Sequence, residues 1–121
     1  MTIVVLDDDA GFRGALADNL RDDGYRVEEF ASTPDVSVLG RLGSIGAVLT
    51  HYHLPQQNGF EFVDRVHVAY PCLPVVVLTA DPSSAIDAAV SRRPFTSLQR
   101  KPLEYGEVRR LVEQITGHRA E

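Results

Sequence analysis

The chain switches between two hydrophobic periods, and it does so five times in 121 residues. Residues 3–6, 47–49 and 75–78 are short unbroken apolar runs, and 96–98 is a weaker one. Runs of this length suit strands covered on both faces, as in a parallel sheet. Residues 25–30 are more polar and predict a strand nearer an edge. Between these runs the spacing turns helical. Asp9 offers a cap for a helix over residues 10–23, with Leu16 and Leu20 on one face and Gly24 as its stop. Thr33 and Pro34 predict a cap and first-turn pair that opens a short helix towards Leu39. Asn58 and Gly59 precede Phe60, Val63, Val66 and His67, and Pro71 ends that segment. Asp81 and Pro82 repeat the cap-then-proline signal before Ile86, Ala89 and Val90. Val108, Leu111, Val112 and Ile115 follow i, i+3, i+4, i+7, and Gly117 closes the helix. Strand followed by helix, five times over, predicts an α/β domain over residues 1–121, a parallel sheet sandwiched by helices.

Composition narrows the function classes. The hydrophobic fraction of 44% is enough for a real core at this length, so disorder is disfavoured. A formal net charge of −5 repels phosphate backbones and argues against direct nucleic-acid binding. The longest apolar runs are far short of a membrane span, and the start of the chain lacks the basic and long apolar stretches of a secretory signal. Cys72 is the single cysteine, so no internal disulfide can form. Together these features lead us to expect a cytoplasmic domain with no membrane association.

Ligands of open parallel sheets bind outside the carboxyl ends of the strands, where the strand order reverses. Strand one ends in Asp7, Asp8 and Asp9, strand three near Thr50 and His51, strand four in Thr79 and Ala80, and strand five in Arg100, Lys101 and Pro102. Carboxylates hold a hard cation such as Mg²⁺, while a lysine and a hydroxyl contact phosphoryl oxygens. Such a set suits phosphoryl transfer by placement and charge.

These residues carry a resemblance. Val-Val-Leu-Asp-Asp-Asp at 4–9, Leu-Pro-Gln-Gln-Asn-Gly at 54–59, Val-Val-Val-Leu-Thr-Ala at 75–80 and Lys101-Pro102 together resemble the receiver domain of bacterial two-component response regulators, over residues 3–117. The resemblance implies a three-layer α/β/α sandwich, flavodoxin-like and CheY-like, with strand order 2-1-3-4-5. It implies that Asp7 and Asp8 are the acidic pair, the second touching a metal. It also implies that Thr79 and Lys101 contact a phosphoryl group, and that Pro55 and Gly59 shape the loop after strand three.

Two positions depart from that family. Its phospho-accepting aspartate stands four residues before the loop proline, where this chain has His51. Its aromatic switch residue stands three before the lysine, where this chain has Leu98. Without the carboxylate at 51, Mg²⁺ binding at Asp8 is expected to be weak or absent, and no other cofactor is implied. The expected role of His51 is structural: its ring fills the pocket and hydrogen-bonds Asp7 or Asp8. Acids that raise the imidazole pKa above about 6.5 would stabilise the fold below that value, a contribution fading as pH climbs, with Lys101 opposing. A transition-metal sensor site of Asp8, His51 and His53, and a phosphohistidine at His51, stay open as alternatives. A small hydrolase using His51 with Asp8 lacks a placed nucleophile, so no independent enzyme is expected.

The leading expectation is an atypical receiver that works as a protein-interaction module without aspartyl phosphorylation. Its partner would be a histidine kinase, an effector or a second copy, forming a homodimer. The family's usual contact surface is the face of helix four, strand five and helix five. Elsewhere, His53 and His67 are expected to be solvated, Cys72 an ordinary residue before strand four, and Arg92 and Arg93 a solvated helix end. Tyr105 is a candidate for a partner surface.

Overall fold

A computed structural model of the chain describes residues 1–54 and 58–117. Strands and helices alternate: β1 (Thr2–Leu6), α1 (Ala10–Asp22), β2 (Arg26–Phe30), α2 (Val36–Leu39), β3 (Ile45–His51), α3 (Gly59–Ala69), β4 (Val75–Thr79), α4 (Ser84–Ser91), β5 (Thr96–Arg100) and α5 (Tyr105–Thr116). The strands pair in parallel in the order β2-β1-β3-β4-β5. The order reverses between β1 and β3, both of which are flanked on each side, and β2 is an edge as its polarity predicts.

The two-residue period of a strand sends alternate side chains to opposite faces. Ile3 and Val5 of β1, Leu49 of β3 and Leu78 of β4 meet Leu16 and Leu20 of α1 and Val108 and Val112 of α5. Val4 and Leu6, Val48, and Val75 and Val77 meet Leu39 of α2, Phe62, Val63 and Val66 of α3, and Ile86 and Val90 of α4. Two cores result, one on each face of one sheet. Each fully buried Val, Leu, Ile or Phe contributes roughly 1.5–3 kcal/mol, and every residue of β1 and β4 is buried.

Asp9 caps α1 by accepting from the Phe12 amide, and Gly24 turns the chain beyond it at φ 95°. Asn58 caps α3 through the Glu61 amide, and Gly117 ends α5 at φ 69°, where a glycine is favoured. Two caps lie elsewhere than the sequence signals predict. Helix α2 is capped by Asp35, which accepts from Ser37 N, rather than by Thr33 with Pro34 in the first turn. Helix α4 is capped by Ser83, and Asp81 instead closes a turn by accepting from Ser83 N. In both cases an acceptor side chain past the proline sits two residues before a free amide, and it takes the cap.

Candidate functional site

The chemistry gathers where β1, β3, β4 and β5 end. Asp7 follows β1 and is fully buried. Its Oδ1 accepts from the amide of Asp9 at 2.9 Å and its Oδ2 from Lys101 Nζ at 2.9 Å. The Arg13 guanidinium, reaching back from α1, donates to the Asp7 carbonyl at 2.8 Å. Lys101 stands just past β5, and its ammonium also lies 3.7 Å from the centre of the Phe12 ring. That ring shields the ion pair from water on one side, which strengthens it. The Lys101–Pro102 peptide bond is cis. Asp8 is exposed and Thr79 buried, with the Thr79 hydroxyl oxygen accepting from Asp81 N at 3.0 Å.

His51 ends β3 with its side chain 16% exposed. Its Nδ1 lies 3.8 Å from Asp7 Oδ2, too far for a hydrogen bond, and has no hydrogen-bond partner among the described residues. The expected hydrogen bond from His51 to the acids is therefore not formed: Lys101 holds the nearer place on the same oxygen. The expected rise in the His51 pKa is reversed as well. Burial holds the imidazole below its ordinary value, the positive charge of Lys101 adds to this, and Asp7 and Asp8 oppose it. Burial penalises the charged ring, and the acid that would favour that charge is already neutralised.

The donor set does not suit a hard divalent cation. One oxygen of Asp7 faces an ammonium, the other an amide, and an imidazole stands beside them. Among the described residues no group of three His, Cys, Asp or Glu side chains is placed to hold a metal ion. His53 is turned instead towards Asp81, with Nε2 3.6 Å from Oδ2, and its ring centre lies 6.0 Å from that of His51.

Gly59 is needed for close approach: a Cβ there would sit 3.0 Å from the His51 carbonyl oxygen and from Tyr52 Cα. Its amide donates to Tyr52 O, which seats α3 against the end of β3. Pro55, the other loop residue singled out in the sequence, lies outside the described residues. Leu98 is half-buried and packs with the α2–α3–α4 core as a simple aliphatic.

Two expectations away from the site need correction. His67 is not merely solvated, since its Nε2 lies 2.8 Å from the carbonyl of Leu73 and ties α3 to the approach to β4. Arg93 is not a loose helix end: it clasps both carboxylate oxygens of Asp64 at 2.9 and 3.1 Å and lies over the Phe60 ring. Tyr105 donates to Asp23 at 2.6 Å, a tie between helices. Cys72 is free and exposed. Sequence reasoning did not single out Arg13 or Phe12 as pocket walls. Their position one helical turn after the acids was the available signal.

Residues 3–113 match the response regulator receiver domain family. The DNA-binding transcriptional regulator NtrC of Rhizobium meliloti is 31% identical over 110 residues, which is 88% of this chain and 22% of that protein. Its counterpart in Escherichia coli K12 is 29% identical over 117 residues, 94% of this chain and 24% of that one. The chain thus spans less than a quarter of these relatives. A putative response regulator from Chloroflexus aurantiacus superposes with a TM-score of 0.82 at 27% identity, covering 97% of this chain and 98% of its own. A response regulator receiver domain protein from Clostridium thermocellum reaches a TM-score of 0.85 at 19% identity, over 96% and 94% of the two chains, and this likeness bears on the fold alone. Fold and matched span agree, and the chain belongs to the response regulator receiver domain family.

Proposed function

We propose that this receiver domain signals through protein contacts and carries no aspartyl phosphate. The observation behind this reading is His51. In the family pattern its place, four residues before the loop proline, belongs to the accepting aspartate, and here it holds a largely buried imidazole beside an Asp7–Lys101 pair already closed on itself. A ring that is no carboxylate can neither form an acyl phosphate nor give a hard cation its oxygen. Mg²⁺ binding is accordingly weak or absent, and no other cofactor is required. Leu98 supports the same reading, because it has no ring to move between two positions.

The domain then works as a binding module rather than an enzyme. Its partner is a histidine kinase, an effector or a second copy, engaged through the surface of α4, β5 and α5. DNA binding belongs to the far longer relatives that carry it in their names. The net charge of −5 disfavours it for this domain. Among the described residues no helix is long and apolar enough to cross a membrane, and we place the domain in the cytoplasm.

The test is incubation with a small phosphodonor and Mg²⁺, read by intact mass. The parent is expected to gain no phosphoryl mass. The variant His51→Asp is expected to gain one, and to bind Mg²⁺ and beryllofluoride where the parent binds neither. A stable phosphoryl group on the parent at His51 would instead establish the substitute-acceptor reading.

A further inference from the structure

Arg100 closes β5 opposite Thr79, its partner in the register. Its guanidinium reaches across the segment that joins β4 to α4. Nε donates to the Asp81 carbonyl at 2.9 Å and Nη2 to the Ser83 carbonyl at 3.1 Å. Nη1 and Nη2 take the two carboxylate oxygens of Asp87 at 2.9 and 3.0 Å. One side chain thus grips two loop carbonyls and a carboxylate of the first turn of α4. The planar fork of arginine allows this, and a lysine ammonium could not reproduce it.

Apart from the exposed approach of His53 Nε2 to Asp81 Oδ2 at 3.6 Å, little else among the described residues holds this segment down. No residue between Thr79 and Ile86 is buried. Local ties exist: the Asp81 amide donates to Thr79 Oγ1, and the Ser83 amide to Asp81 Oδ1. These shape the turn but do not join it to β5. A lone exposed ion pair contributes little to stability. Arg100 differs because one planar fork makes four hydrogen bonds at once, to two loop carbonyls and a carboxylate, and because it links a strand to a helix. The Asp87 carboxyl is held below its ordinary pKa by the hydrogen bond from Arg100, so the pair stays charged on both sides.

We propose that Arg100 is a latch, holding the loop after β4 and the first turn of α4 against the end of β5, so that the surface of α4 and β5 is presented in one preset arrangement. The latch does not depend on what His51 does. The far end of α4 has its own tie, Arg93 to Asp64 of α3, which supplies an internal control.

Amide hydrogen exchange, read peptide by peptide on the whole chain, tests this. In Arg100→Gln, exchange across residues 81–88 is expected to quicken about tenfold, with the amides of β1, β3 and β4 unchanged. Asp87→Asn, which removes the ion pair and leaves the carbonyl contacts, should give a smaller rise in the same residues. Arg93→Gln should leave residues 81–86 at the parental rate. Parental exchange across 81–88 in Arg100→Gln would overturn the latch. So would an increase spread evenly over the chain, since that reports global stability rather than a local tie.

Discussion

At His51 an imidazole faces two carboxylates and an ammonium, and the balance among them sets how the domain answers pH. Burial and Lys101 lower its pKa more than Asp7 and Asp8 raise it. The unfolded chain, at about the ordinary 6.5, therefore binds a proton at His51 more readily than the folded one. Stability from this group is complete above the unfolded value and is lost as pH falls from there towards the folded value. The thermal midpoint of the parent is expected to drop as pH falls from about 7 to below about 6.5, and in His51→Gln that part of the drop should vanish. A midpoint that climbs on acidification would show that Asp7 outweighs burial. The residue itself was legible: a histidine at the end of the third expected strand, at the edge where the acids and the lysine converge. The sign of its titration was not, because it turns first on the burial of the packed ring and then on Lys101, which lies 2.9 Å from the Asp7 oxygen that His51 approaches only to 3.8 Å.

Among the elements, α5 is instructive. It has no side-chain cap at Glu104, and its first turn is held instead by Tyr105, whose hydroxyl donates to Asp23 at the end of α1. Arg109 approaches the same carboxylate at 3.6 Å. Burial first, then the hydrogen bond to Asp23, keeps the Tyr105 phenol protonated well above its ordinary range. Tyr105→Phe is expected to lower unfolding free energy by about 1–2 kcal/mol, seen as a lower denaturant midpoint with an unchanged slope. No shift in midpoint would mean that Arg109 alone secures the join. Helix α5 could be found from Val108, Leu111, Val112 and Ile115 alone, since a 3.6-residue period is local information. Its tie to α1 could not, because Asp23 and Tyr105 are 82 residues apart. The caps of α2 and α4 show the same limit on a smaller scale. Thr33, Asp35, Asp81 and Ser83 all have capping chemistry, and the backbone path beyond each proline selects between them.

On the scale of the whole molecule, one sheet divides the interior into two separate cores. Ile3 lies in the core shared with α1 and α5, and Ile86 in the one shared with α2 and α3. Ile3→Val and Ile86→Val are each expected to cost about 0.5–1.5 kcal/mol. Their sum should match the double variant within about 0.5 kcal/mol, because the sheet separates them. A larger coupling energy from the double-mutant cycle would mean that the two layers respond as one. The two-layer division follows from the residues themselves: alternating Ile3, Val4, Val5 and Leu6 must face both ways, so helices are needed on both sides. Element order, parallel pairing and the gathering of Asp7, Asp8, His51, Thr79 and Lys101 at one edge follow equally, since right-handed crossovers put all strand ends together. Tertiary structure alone decided the rest: which charge Asp7 pairs with, that Nδ1 of His51 has no hydrogen-bond partner among the described residues, and that Arg100 binds Asp87. Side-chain period and chain direction are local properties that the sequence carries residue by residue. The choice among competing partners is made by differences of about an ångström between side chains from separate elements, and those distances exist only once the elements have packed.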